Sequence, residues 1–100
     1  MAFAVRIVPS ALAELKAIKV YYRRQIAQAI DAQLPDQPLV ETRNRKALGD
    51  PPASFEHEPP LWELRVGNFR VFYDVDEAGQ VVFVRTVREK PPHAETGDVL

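Results

Sequence analysis

The most constraining feature of this chain is a stretch from Leu61 to Val75 in which apolar and polar residues alternate on either side of Gly67-Asn68. Apolar residues at every second position predict two β-strands that each bury one face. A Gly-Asn loop is typical of a type II′ hairpin turn, and a type I′ turn also remains open because Asn tolerates positive φ. A further apolar run from Gln80 to Arg88 extends the predicted hairpin to a three-stranded meander.

The short first turn also predicts which residues face each other. A two-residue loop places Val66 opposite Phe69 and therefore Arg65 opposite Arg70. Two like charges directly across a sheet normally destabilise it. The pair therefore indicates a face of the sheet on which an anion is expected.

The register of the third strand depends on the length of the second turn. A four-residue loop from Asp76 to Gly79 pairs Val75 with Gln80 and predicts Arg85 opposite Arg70, which would make a row of three arginines. A five-residue loop or a bulge would instead move Arg85 to the other face.

The residues before the meander predict one strand followed by helix. Residues 3–7 alternate like a strand, and Ser10 can cap a helical pattern that continues to Leu34. No Gly or Pro divides this pattern, but its apolar phase shifts near Ile18, so one long helix and two shorter helices both remain open. The polar and basic residues 39–48 are predicted to be extended or irregular. The Pro-rich residues 49–60 are predicted to form a loop, and the tail after residue 90 is expected to lack regular structure.

This order of elements predicts an α+β fold, in which one or two helices pack on the apolar face of an antiparallel three-stranded meander. We expect residues 1–100 to form a single domain, since a chain of 100 residues holds one core.

Composition excludes several classes of protein. With no cysteine and two histidines, the chain has neither a disulfide scaffold nor a convincing metal site. No run approaches the roughly 18 apolar residues of a membrane span, and the first residues lack the apolar region of a signal peptide. We therefore expect a cytoplasmic protein with no membrane contact. A net charge of −1 argues against nucleic-acid binding through the overall field and leaves only local basic clusters.

Three segments resemble the RelE/ParE superfamily of toxins from bacterial type II toxin-antitoxin systems. They are Leu64 to Tyr73 (LRVGNFRVFY), the apolar strand Val81 to Val87, and Arg45 to Gly49 (RKALG). The resemblance covers essentially the whole chain and implies a toxin that a cognate antitoxin neutralises. Members resembling RelE cleave messenger RNA on the ribosome without a metal, and this is our main expectation. Members resembling ParE inhibit DNA gyrase, which is the first alternative; a non-toxic degenerate binding module is the second.

The resemblance also implies roles for individual residues. Arg70 falls where the RNase branch has the arginine that faces the scissile phosphate, and Lys90 matches a second basic position after the last strand. His93 stands in for the C-terminal histidine of some members. Lysines of some members fall here on Leu61 and Glu63, a departure that motivates the gyrase alternative. No cofactor or metal is implied.

The complete set of candidates combines this resemblance with the register and the basic clusters. The candidate catalytic residues are Arg65, Arg70, Arg85, Lys90 and His93, and the candidate RNA-binding residues are Arg43, Arg45, Lys46 and Arg88. Guanidinium groups suit the first role because they stabilise the charge that builds on a phosphate during attack. Phe72, on the arginine face, is the one aromatic residue that we expect to stack on a base or contact a partner.

Overall fold

The computed structural model describes residues 2–100 and contains strands, two helices and a short 3-10 helix. In chain order the elements are β1 (Ala4–Ile7), α1 (Pro9–Ala17), α2 (Val20–Gln33), β2 (Arg45–Gly49), β3 (Leu61–Val66), β4 (Phe69–Asp76), β5 (Val81–Glu89) and the 3-10 helix (Thr96–Val99). Along the described chain, neither α-helix has the length and apolar content needed to cross a membrane.

The strands form one five-stranded sheet in the order β1-β5-β4-β3-β2. Strand β1 is parallel to β5, and the other neighbours are antiparallel. The predicted α+β fold is confirmed, with β2 as an additional strand. The sequence of β2, RKALG, carries a Lys and a Gly that strands disfavour, and its pairing with β3 supplies the hydrogen bonds that make it a strand.

The helical region is divided into two helices by two residues with extended backbone, Ile18 (ψ 143°) and Lys19 (ψ 140°). Ser10 was predicted to cap the helix, but it does not cap α1. It lies inside the helix, because Pro9 takes the first turn, where its missing N–H costs nothing.

The main core lies between the two helices and one face of the sheet. Its buried residues are Ala11, Leu15, Ile26, Ile30, Leu34, Trp62, Leu64, Phe69, Val71, Tyr73, Val82, Val84 and Val87. The buried Tyr73 hydroxyl donates a hydrogen bond to the carbonyl oxygen of Pro38 at 2.6 Å. Burial raises the pKa of Tyr73 well above its usual value, and the charge of Arg45 partly opposes this shift.

A second, smaller core covers the opposite face of the sheet. Leu61, Phe72 and Val99 are buried there, with Leu48, Phe55 and Leu100 packed around them. Two expectations were therefore wrong. The tail contains a 3-10 helix, and Phe72 is fully buried instead of free to stack on a base. Both errors have the same physical cause: Val99 and Phe55, distant in sequence, pack over Phe72.

The hairpin of β3 and β4 has the predicted register. Val66 lies opposite Phe69 and Arg65 opposite Arg70. Of the two turn residues, Gly67 has positive φ (57°), which is the requirement of a type II′ turn.

The register of β5 differs from the prediction. Val75 pairs with Val82, and an irregularity between Phe72 and Tyr73 shifts the remaining pairs so that Arg70 lies opposite Arg88. Arg85 is not opposite Arg70 for two reasons: the pairing that starts at the turn is already shifted by two residues from the predicted one, and Arg85 is then the extra residue in the β-bulge.

Candidate functional site: an arginine row on the sheet

Three arginines lie side by side on the face of the sheet that is turned away from the helices. Arg65 on β3 is opposite Arg70 on β4, which is opposite Arg88 on β5. We call these three residues the arginine row. The β-bulge brings Arg88 into the row in place of the predicted Arg85, so a residue expected only to contact RNA becomes the neighbour of Arg70.

Arg70, at the centre of the row, is only 9% exposed. Its Nη1 atom donates to the carbonyl oxygens of Gly67 (2.9 Å) and Phe69 (2.8 Å), while its Nε atom is buried without a hydrogen-bond partner. Burial lowers the pKa of the Arg70 guanidinium, the charge of Glu63 opposes this shift, and the charge of Arg65 adds to it. Arg70 is therefore a confined cation whose hydrogen-bonding capacity is only partly used.

Glu63 is the carboxylate that contacts the row. It is fully buried, and its Oε1 atom accepts a hydrogen bond from Nε of Arg65 at 3.1 Å. Its Oε2 atom accepts a hydrogen bond from the hydroxyl of Thr96 at 2.8 Å. A buried carboxylate needs such partners, since an isolated charge is costly to remove from water. The side chain of Arg65 remains 45% exposed.

Arg88 is bound by the end of the chain. Its Nη1 atom donates to the carbonyl oxygens of Val99 (2.8 Å) and Leu100 (3.1 Å), and its Nε atom donates to the hydroxyl of Thr86 (3.2 Å). The guanidinium carbon lies 5.1 Å from the centroid of the Phe55 ring. The 96–100 segment therefore lies directly against the row.

Arg85 serves a separate contact. It forms a two-point ion pair with Asp74, with distances of 2.7 Å from Nε to Oδ2 and 3.1 Å from Nη2 to Oδ1. The backbone N–H of Glu58 donates to the same carboxylate at 2.9 Å. The Asp74 carboxylate therefore joins the loop before β3 to β4 and β5. Because its guanidinium is engaged by this carboxylate, Arg85 is not part of the row.

The predicted RNA-binding residues fall in different surroundings. Arg45 is buried, and its guanidinium donates to the carbonyl oxygens of Val40 and Gln33, both at 3.1 Å. This placement argues against an RNA contact by Arg45. Arg43 and Lys46 are exposed, and Lys46 lies opposite Glu63 on the edge strand β2, beside the row.

Lys90 and His93 lie beyond the end of β5. The backbone N–H of Lys90 donates to the carbonyl oxygen of Asn68 at 2.7 Å, which places this residue at the hairpin-turn end of the sheet. His93 is exposed and has positive φ (66°). Over residues 2–100, no three His, Asp or Glu side chains form a cluster that could hold a metal ion.

Sequence reasoning missed the contacts of Thr96, Val99 and Ser54 at the site. Ser54 donates its backbone N–H and its hydroxyl to the carbonyl oxygen of Leu100, both at 2.7 Å. The available signal was the pair Val99-Leu100, whose apolar side chains end an otherwise polar tail.

The fold is shared with solved structures of the RelE type. A chain of the toxin-antitoxin complex RelBE2 from Mycobacterium tuberculosis aligns with a TM-score of 0.70 and 20% identity, covering 90% of this chain and 100% of that chain. The RelE-RelB complex from Pyrococcus horikoshii OT3 aligns with a TM-score of 0.72 and 19% identity, covering 94% and 100%. A mutant of the Escherichia coli toxin RelE in the free state gives a TM-score of 0.58 and 20% identity, covering 94% and 88%. These likenesses define an α+β protein with the RelE-type fold.

Family membership follows from the sequence match. Residues 5–90 match the family model of the ParE toxin of the type II toxin-antitoxin system parDE, and the chain belongs to this family. It is therefore a toxin of the RelE/ParE superfamily, as the resemblance implied. Among curated proteins, none matches the chain significantly in sequence.

Proposed function

We propose that this toxin is a metal-independent, ribosome-dependent messenger-RNA endonuclease that inhibits translation, and that its arginine row binds the RNA phosphates. The observation that carries this proposal is the row itself, in which three cations face one another on adjacent strands. Like charges in such positions repel, and a bound phosphate would relieve the repulsion. Arg65, the most exposed member of the pair at the hairpin, has a side chain that is 45% exposed and can be reached by such a ligand.

The chemistry assigned to the row is attack of a ribose 2′-hydroxyl on the adjacent phosphorus. The new bond from the 2′ oxygen to phosphorus forms as the bond to the 5′ oxygen breaks, and negative charge builds on the phosphate oxygens. Arg70 and Arg65 would stabilise this charge through charge-assisted hydrogen bonds. A base must accept the 2′ proton and an acid must protonate the leaving oxygen. Glu63 is the carboxylate in contact with the row, and Lys90 and His93 remain the predicted groups beyond β5.

The proposed partners follow from the same assignment. The ribosome with its messenger RNA would be the target in the cytoplasm. A cognate antitoxin would be the neutralising partner, a proposal supported by the solved neighbours, two of which are toxin-antitoxin complexes. Exposed Arg43 and Lys46 are the proposed further contacts to the RNA backbone.

Inhibition of DNA gyrase is the second candidate. It is favoured by two contacts of the row, since Arg65 is paired with Glu63 and Arg88 with the carbonyls of Val99 and Leu100. In this case the arginines would have structural roles, and the toxin would act by binding its target protein.

Induced expression of the toxin in a bacterial host distinguishes RNA cleavage from inhibition of DNA gyrase. If the row acts on RNA, growth and translation stop, messages are cleaved within codons, and Arg70→Ala relieves all three effects. Arg24→Ala, at an exposed arginine on α2, is the matched control and should remain toxic. Intact messages with induction of the DNA-damage response would instead support gyrase inhibition. Wild-type expression with no effect on growth would contradict both toxin mechanisms.

A further inference from the structure

The 96–100 segment occupies the position at Arg88 that a phosphate would need. Two main-chain carbonyl oxygens, those of Val99 and Leu100, accept hydrogen bonds from the same guanidinium nitrogen at 2.8 and 3.1 Å. Phosphate oxygens are acceptors of the same kind and carry a full charge. The segment thus fills, with main-chain oxygen acceptors, the end of the row that belongs to β5.

The same segment also engages the carboxylate of the row. The Thr96 hydroxyl donates to Oε2 of Glu63 at 2.8 Å, while Oε1 of that carboxylate holds Arg65. One segment of five residues therefore contacts both the β5 end of the row and the acidic partner of its β3 end.

The hydrogen bonds to Arg88 and Glu63 are among the tertiary contacts that hold the segment in place. Val99 packs against Leu61 and Phe72, and Ser54 binds the carbonyl oxygen of Leu100. The 3-10 helix has four residues, and helices this short do not persist without such tertiary contacts. Segments of this kind open at the low end of a protein's range of local stabilities.

From this geometry we propose that the 96–100 segment is autoinhibitory: it covers the arginine row and must leave before an RNA phosphate can bind there. The inference rests on the proposed function, because it concerns the regulation of the same site. Binding of RNA and binding of the segment are then mutually exclusive, and the apparent affinity for RNA is reduced by the fraction of molecules in which the segment has left.

A purely structural role for the segment has different consequences. If it only completes the second core, loosening it lowers stability and leaves the affinity for RNA unchanged. If it covers the row, loosening it lowers stability and raises the affinity.

Full-length variants distinguish these roles. Val99→Ser weakens the packing on Phe72, and Thr96→Val removes the hydrogen bond to Glu63 while keeping the shape of the side chain. Binding is measured by fluorescence anisotropy with a labelled single-stranded RNA oligonucleotide. We expect both variants to bind more tightly than the wild type, by about tenfold if the segment is in place in about nine molecules of ten. Val40→Ser, the same change at an exposed valine, should leave the affinity unaltered.

Hydrogen exchange on the wild-type protein tests the inference even if Val99→Ser does not fold. The amides of Asp98 and Ser54 are bonded to the carbonyl oxygens of Glu95 and Leu100, and their protection should fall when the RNA binds. RNA binding that leaves both amides protected would overturn the inference. Equal affinities of the wild type, Val99→Ser and Thr96→Val would also overturn it while leaving the proposed function intact. Failure of every folded variant to bind the RNA would overturn the inference together with the claim that the arginine row binds RNA phosphates.

Discussion

At the scale of single residues, the pairing of Arg65 with Arg70 shows how far local rules reach. A two-residue turn leaves one register for the strands that it joins, so this pair could be predicted from the sequence and is found in the structure. The surroundings of Arg70 could not be predicted. Its acceptors are backbone carbonyls of the turn, and sequence patterns do not specify such contacts.

Tyr73 gives a prediction about stability and pH. Its hydroxyl is buried against the carbonyl of Pro38, so Tyr73→Phe should lower the free energy of unfolding by about 1 kcal/mol at neutral pH. Burial raises the pKa of Tyr73 above its ordinary value of 10.0. Above about pH 10 the unfolded chain therefore loses this proton while the folded chain keeps it. The stability contributed by the phenol is present below that pH and is lost as the pH rises further.

Urea unfolding at about pH 9 and about pH 11 checks this sign. The wild type should lose more stability between the two values than Tyr73→Phe does. Tyr21→Phe, at a tyrosine that is 65% exposed, should behave like the wild type. Equal losses in the wild type and Tyr73→Phe would show that Tyr73 is not the titrating group.

At the scale of elements, the features that could be predicted from the sequence are those that depend on residues close together in the chain. The strand and helix patterns and the β3–β4 register follow from periodicity and from one tight turn. The register of β5 does not, because the pairing at the second turn is shifted by two residues and a bulge then leaves Arg85 without a partner, and no pattern in the sequence marks either change. The sequence left residues 39–48 as extended or irregular and could not decide for a strand, because pairing with β3, not residue preference, makes Arg45–Gly49 a strand.

The ion pair of Asp74 with Arg85 stabilises the strands at this bulge. The side chains are 3% and 17% exposed, so Asp74→Asn leaves a largely buried guanidinium without its counter-charge. We expect it to lower the free energy of unfolding by about 3 kcal/mol, measured by urea denaturation. Asp31→Asn, at an exposed position on α2, is the control. A loss as small as that of an exposed ion pair, about 0.5 kcal/mol, would contradict the structural role given to Arg85.

At the scale of the whole molecule, the sheet is covered on both faces. The helices cover one face, and the second core formed by Leu61, Phe72 and Val99 covers part of the other. Composition and periodicity predicted the first core, because its helices and strands are regular. The second core depends on contacts of Phe72 with Phe55 and Val99, which lie far from it in the chain and outside the strands and α-helices. Its absence from the prediction left the arginine face open and Phe72 exposed.

The net charge is also a property of the whole molecule. A net charge of −1 provides no general attraction to nucleic acid. Any binding of RNA must therefore come from a local group of cations, and the arginine row is the group that the fold assembles from three strands. The contribution of the row to RNA binding can be separated from that of other surface charges by measuring how the affinity depends on the salt concentration.

The most direct test of the central claim is the salt dependence of RNA binding by the purified toxin. Each phosphate contact adds about 0.7 to the slope of the logarithm of the affinity against the logarithm of the salt concentration. We predict that Arg70→Ala weakens binding and reduces this slope by about 0.7, while Arg24→Ala leaves the slope unchanged. A slope and affinity for Arg70→Ala equal to those of the wild type would contradict the claim that the arginine row binds RNA phosphates.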